Sequence, residues 1–131
     1  MIVIPAHLIT EMGEHAVAGY PYEICGLMVG SADRVERYVP CTNVAASARV
    51  YTIDPKEHLK AELAAEEDAL EIIGVVHSHT HSEAYPSPTD VAQAPDPGWH
   101  YVIVSLKSGA PAPRSFRIVN GEISEEEIAT K

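Results

Sequence analysis

The chain has 131 residues, 46% apolar and 21% charged, which predicts one folded domain over residues 1–131 and excludes a disordered or fibrous protein. Nine Lys and Arg against 19 Asp and Glu give a formal charge of −10, which opposes the phosphate backbone and predicts no nucleic-acid partner. No apolar stretch approaches membrane-spanning length, and MIVIPAHLIT lacks the features of a secretory signal, so a cytoplasmic protein without membrane contact is expected.

Ala6 to Gly19 carries Leu8, Ile9, Met12, Ala16 and Val17 at helical spacing and stops at Gly19 and Pro21, which predicts a first helix. Ile24 to Gly30 is a short apolar run bounded by glycine and predicts a buried strand, with Glu23 at its start and Cys25 inside it. Arg34 to Pro40 and Val50 to Ile53 are predicted as further strands, separated by the small, polar stretch Thr42 to Ala48. Asp54 as N-cap and Pro55 as first helical residue open a second helix running through Glu71. Its acidic residues Glu62, Glu66, Glu67 and Asp68 predict a solvated face. Ile72 to His77 is an apolar strand expected to end in the polar loop Ser78 to Pro86.

Beyond that loop, Ser87-Pro88-Thr89-Asp90 predicts a short helix, Tyr101 to Leu106 and Ser115 to Val119 predict strands, and Asn120-Gly121 predicts a turn. The alternation gives an α/β domain: a mixed β-sheet flanked by two main helices, with the short helix after the histidine loop. Cys25 and Cys41 form neither a CxxC pair nor a disulfide framework and are expected as free thiols.

The chemistry concentrates where the Ile72 strand stops. In His77-Ser78-His79 the imidazoles are two positions apart, so extended backbone projects both from one face, about 6–7 Å apart at Cα. Neutral imidazole suits zinc, and a catalytic zinc keeps three protein ligands and a water, so one Zn2+ per chain with a third ligand nearby is expected. His81 would lie about 13 Å from His77 in an extended strand and would need a sharp turn. Asp90 follows a loop containing Pro86 and Pro88 that is long enough to return its carboxylate, and it is the favoured third ligand. Ser87 and Asp90 also have a purely structural explanation as N-cap and N3 partner of a capping box. The two explanations are compatible, because a cap also fixes the direction of a ligating carboxylate. Glu23, taken alone, is better explained as an exposed residue at a sheet edge.

Glu-x-x-Gly at Glu23 to Gly26, His-Ser-His-Thr at 77–80 and Pro-Ser-Pro-Thr-Asp at 86–90 together resemble the signature of the JAMM (MPN-plus) metallopeptidases. The resemblance covers nearly the whole chain and implies a single JAMM/MPN domain. It also implies zinc on His77, His79 and Asp90, Glu23 as general base and acid, and Ser87 as support for the oxyanion. The segments PYEICGLMVG, HSHTHSEAYPSPTD and HYVIVS resemble the small bacterial members that act on ubiquitin-like sulfur carrier proteins, particularly those releasing cysteine after a C-terminal Gly-Gly. Many members carry Pro where this chain has Thr80, and the cysteine-releasing group shares Thr.

Three other readings compete. One is a processing peptidase that exposes the carrier's diglycine for another sulfur-transfer pathway; another is a non-catalytic MPN interaction module. The third is a thiol hydrolase using Cys25 with a histidine. A zinc deaminase is excluded, because the chain has neither H-x-E nor P-C-x-x-C.

For substrate contacts, Arg49, with Arg114 and Arg117 as alternatives, offers a cation to a free carboxylate. Tyr85, Trp99 and His100 are expected to line the cleft, and Val44 to Ile53 to offer an edge to an extended tail. His7, His15 and His58 are expected on helix surfaces, and His81 in solvent or against substrate. The chain is expected as a monomer or homodimer.

Overall fold

The chain folds as β1 (Ile2–Val3), α1 (Ala6–Gly19), β2 (Cys25–Ser31), β3 (Arg34–Cys41), α2 (Pro55–Glu67), β4 (Glu71–His79), α3 (Pro88–Ala92), β5 (His100–Ser105), β6 (Ala112–Val119), β7 (Glu122–Glu126) and β8 (Ile128–Ala129). The computed structural model describes all 131 residues. Its one sheet has the order β7-β6-β5-β4-β2-β3-β1-β8. β4 and β5 pair in parallel, whereas β2 runs antiparallel to β3 and β4, so the sheet is mixed.

Alternation along β2 sets the layers. Ile24 and Met28 pack with Leu8, Met12 and Ala16 of α1, whereas Cys25, Leu27 and Val29 pack with Ala61 and Ala65 of α2, so the helices cover opposite faces. The expected N-cap of α2 is present, with Asp54 Oδ1 accepting from Lys56 N at 2.8 Å.

Several segments differ from the sequence-based expectation. Val50 to Ile53 is not a strand; only an isolated bridge joins Asn43 and Ile53. The Asn43 amide donates to Glu23 O and Val50 O and accepts from Ala45 N and Thr52 N, so a side chain occupies backbone groups that a neighbouring strand would have taken. α2 ends at Glu67, with Ala69 at φ 57, rather than at Glu71. β4 does not stop at His77, because Ser78 and His79 pair with Val104 and Ser105 of β5. β2 lies inside the sheet, so Glu23 is no edge residue. The short strands β1 and β8 and the charged β7 add to the sheet without an apolar run to announce them. The Asn120-Gly121 turn joins β6 to β7 with both residues at positive φ, 52 and 79.

Candidate active site

A one-residue irregularity in β4 aims the two histidines. Met28 pairs with Gly74 but Val29 with Ile72, so Ile73 is an extra residue in the ladder. Strict alternation from Ile72, on the α2 face, would send Val75, His77 and His79 to the α1 face. The bulge reverses this, and His77 pairs with Cys25 on the α2 face and stacks on Tyr51 at 4.4 Å between ring centroids. Asp90 arrives from α3. Ser87 Oγ accepts from Asp90 N at 3.1 Å, and Asp90 Oδ2 accepts from Ser87 N at 2.9 Å, a complete capping box that orients the carboxylate.

Three atoms converge there. Asp90 Oδ2 lies 3.2 Å from His77 Nε2 and 3.1 Å from His79 Nε2, and the two Nε2 atoms are 3.2 Å apart. His79 Nδ1 donates to Glu83 O at 2.9 Å, which leaves its Nε2 as a lone pair turned towards another nitrogen and a carboxylate oxygen. A cation at the centre turns that repulsion into attraction. Ligand atoms about 2.0–2.1 Å from one tetrahedral centre stand about 3.3–3.4 Å apart, close to the separations found. His77, His79 and Asp90 are thus a group that could hold a metal ion, two of them buried.

Glu23 is also buried, and its Oε1 has no hydrogen-bond partner. Its backbone is fixed by Glu23 N donating to Ser47 O and by Asn43 Nδ2 donating to Glu23 O. Burial pushes its carboxyl up to about 8, with the charge of His79 pulling it down and that of Asp90 pushing it further up. Burial acts on Asp90 in the same sense, but in the metal-free protein, when the two Nε2 atoms carry protons, hydrogen bonds from His77, His79 and Ser87 N hold that carboxyl well below the usual range. Desolvation lowers the His77 imidazole. At His79 desolvation is outweighed by the hydrogen bonds to Asp90 and Glu83, and the ring is raised. The two carboxyls therefore differ in kind, one always ionised and one able to exchange a proton near neutral pH.

A cleft of about 400 Å³ opens beside these groups, lined by Glu23, Ala48, Arg49, His79, Thr80, His81, Ser82 and Ser87. Thr80 Oγ1 donates to Ala48 O at 3.3 Å and also meets His81 Nδ1 at 3.0 Å, joining the histidine strand to the Arg49 segment. His81 stands outside the converging group, exposed, with its Nε2 3.1 Å from Tyr20 Oη. Tyr85 is exposed and packs edge-on against Phe116.

The other substrate candidates lie elsewhere. Arg114 is tied to Glu125, and Arg117 reaches Gly98 O. Trp99 packs among the side chains near α2. His100 does not line the cleft; it is buried at the opposite end of the sheet, because β5 begins beside Gly74 and reaches His79 only at Ser105. His15 is no free surface residue either, with Nδ1 2.6 Å from Tyr38 Oη. Cys25 is fully buried and its thiol is pushed up to about 12, first by burial and then by Cys41, Glu57 and Glu23, which removes it as a nucleophile. Tyr51 and Asn43, which brace His77 and Glu23, carry no sequence signal beyond their places in a polar segment.

Comparison with known proteins agrees with this geometry. The family described as prokaryotic homologs of the JAB domain matches residues 5–119. The chain is 43% identical over 132 residues to the CysO-cysteine peptidase of Mycobacterium tuberculosis, covering 98% of this chain and 90% of that one. It is 34% identical over 123 residues to a probable TtuB-protein conjugate cleaving protease of Thermus thermophilus, covering 93% and 79% respectively. A protein of Desulfitobacterium hafniense solved in solution superposes with a TM-score of 0.88 at 35% identity, covering 98% of this chain and 91% of that one. The chain belongs to the family of prokaryotic homologs of the JAB domain.

Proposed function

We propose that this chain is a cytoplasmic zinc metallopeptidase that hydrolyses the bond after the C-terminal Gly-Gly of a ubiquitin-like sulfur carrier protein and releases cysteine. The observation that carries the chemistry is the convergence of His77 Nε2, His79 Nε2 and Asp90 Oδ2 beside the unpartnered Glu23 Oε1. The choice of substrate is supported by the 43% identity to a CysO-cysteine peptidase.

His77, His79 and Asp90 would hold one Zn2+, which supplies Lewis acidity towards water and the scissile carbonyl. Glu23 takes a proton from the attacking water and passes it to the leaving amine. The water's hydroxyl ends on the glycine carbonyl carbon and the C–N bond breaks, giving a carrier carboxylate and a free amino acid. Burial raises the Glu23 carboxyl in the metal-free protein, and the charge of a bound zinc would pull it back towards the ionised form that the first transfer needs. Ser87 donates to the oxyanion. Its cap occupies one acceptor lone pair of Oγ and leaves the O–H available, so the two duties do not compete. A contact of that kind is worth about 3–4 kcal/mol in the transition state. Arg49, in the cleft wall, and Tyr85, on the loop before Ser87, are the proposed substrate contacts.

The similarity to a conjugate-cleaving protease favours a second reading, removal of longer extensions to expose the diglycine. Zinc-loaded protein incubated with a carrier ending in Gly-Gly-Cys, and with one carrying a longer extension, distinguishes the two by mass spectrometry. Faster release of the single cysteine is expected, with Glu23→Gln inactive on both. No cleavage by the parent protein, or equal cleavage by Glu23→Gln, overturns the proposal.

A further inference from the structure

The cleft does not end at His81. A second lobe of about 490 Å³, sharing Thr80 and His81 with the first, is lined by Val17, Tyr20, Leu106, Lys107 and Gly109. The lobe begins one residue beyond His79, on the α1 side of Thr80 and His81, where Val17 and Leu106 wall it. His79 pairs with Ser105, Leu106 N donates to His79 O at 3.0 Å, and Lys107 N donates to Ser105 Oγ at 3.2 Å. Lys107 is therefore held two residues beyond the pairing partner of His79. The turn closes at Gly109, whose φ of +93 suits glycine.

The lobe's polar groups divide sharply. Thr80 gives its one hydroxyl hydrogen to Ala48 O, so His81 Nδ1 is the donor to Thr80, and His81 Nε2 accepts from Tyr20 Oη. Both ring nitrogens are taken, which leaves Lys107 as the lobe's cationic donor. In a chain of charge −10, Arg34, Arg37 and Arg114 are each paired with a carboxylate. Arg49 and Lys107 border the cleft from opposite ends, and neither has an acidic partner.

The two ends suit different halves of a substrate. Arg49 lies on the segment between β3 and α2 and lines the cleft beside Glu23 and Ser87, where the carrier's tail would enter. The Lys107 lobe has an apolar wall, Val17 and Leu106, and one cation. That matches a single released residue with a small apolar or thiol side chain and a free α-carboxylate. We infer that the Lys107 lobe is the subsite for the released amino acid and that Lys107, by pairing with its carboxylate, makes the enzyme prefer substrates ending one residue after the diglycine. This rests on the peptidase reading and adds the direction in which the substrate lies.

The test compares kcat/KM for two conjugates, a carrier ending in Gly-Gly-Cys with a free carboxylate and the same carrier ending in Gly-Gly-cysteinamide. Wild-type protein is expected to favour the free acid by about tenfold, the size of one charge-assisted contact near the surface. Lys107→Met is expected to bring the ratio to about one, Lys107→Arg to keep it, and Arg49→Met to keep it; circular dichroism checks that each variant is folded. A ratio unchanged in Lys107→Met, or abolished only in Arg49→Met, overturns the assignment while the peptidase reading stands. Equal rates on both conjugates with wild type do the same. Failure of wild type to cleave either conjugate overturns both.

Discussion

Two histidine clusters sit at opposite ends of the same pair of strands, and they are chemically unlike. At the end of β4, two imidazoles and one carboxylate aim acceptor atoms at a common point, and Glu23 Oε1 and His77 Nδ1 nearby lack partners. At the start of β5, one imidazole stands between two carboxylates, with His100 Nδ1 2.6 Å from Glu126 Oε2 and Nε2 3.0 Å from Asp33 Oδ1. Ser115 Oγ adds a third bond to Glu126, at 2.9 Å. In the second cluster both ring nitrogens of His100 face a carboxylate oxygen, and the one polar atom left without a partner is Nε of Arg117 beside it. Only the first cluster opens on a cleft and gains from an added cation. The histidines are equally buried in the two; the direction of the lone pairs separates a group that could hold a metal ion from a structural tie.

The largest effect should come from Glu23. Glu23→Gln is expected to lower turnover by about 10²–10⁴-fold, the usual share of a general acid–base, while zinc content measured by elemental analysis stays near one per chain. The same variant should make the metal-free protein more stable at neutral pH, by about 2 kcal/mol. The sign follows from the carboxyl being raised to about 8 in the fold: its ionisation opposes folding increasingly as pH climbs from 4.5 to 8. Lower turnover with unchanged stability would mean that Glu23 is not desolvated as described.

Next comes the metal. Zinc at 100 to 1,000 times its Kd should raise the unfolding free energy by about 2.7–4.1 kcal/mol, read from urea titrations. Asp90→Asn should abolish that increment, because the amide can still cap α3 but brings no charge to the two imidazoles. An equal zinc shift in Asp90→Asn would place the ion elsewhere.

The second cluster should respond in the opposite way. His100→Ala leaves the buried Glu126 without its main partner and is expected to cost about 3 kcal/mol of stability with turnover within about twofold of wild type. A large loss of activity at unchanged stability would break the distinction between the two clusters.

The sequence reads best where local chemistry is strong. The helical spacing and glycine stop of α1, the Asp54-Pro55 start of α2 and the capping box at Ser87 each announce an element through a few neighbouring residues. The approach of Asp90 to His77 and His79 is legible for a similar reason, since the loop length and its prolines can be counted. The bulge at Ile73 is hidden inside a uniformly apolar run, where a one-residue slip leaves the composition unchanged yet moves both histidines to the other face. Val50 to Ile53 has strand composition, but the Asn43 side chain holds its backbone. His100 lies away from the cleft, contrary to expectation, because parallel pairing with β4 begins at Gly74, a register that neither strand's own pattern fixes.

The smallest effect separates the two carboxylates that hold His100. Asp33 is 64% exposed and Glu126 only 7%, so water screens the first pair and not the second. Asp33→Asn is therefore expected to cost less than about 1 kcal/mol, against the larger loss for His100→Ala. Acid titration separates them further. Burial would raise the Glu126 carboxyl, but hydrogen bonds from His100 and Ser115 and the charge of His100 outweigh it and hold the group below its ordinary 4.5. A carboxyl lowered in the fold stabilises above its unfolded value, and that contribution disappears as pH falls through the lower folded one. The urea midpoint of wild type and of Asp33→Asn should therefore fall on the acid side of pH 4.5, while that of His100→Ala falls less. If Asp33→Asn flattens the acid limb as much as His100→Ala does, the exposed carboxylate is an equal partner, and burial is not what makes this cluster hold.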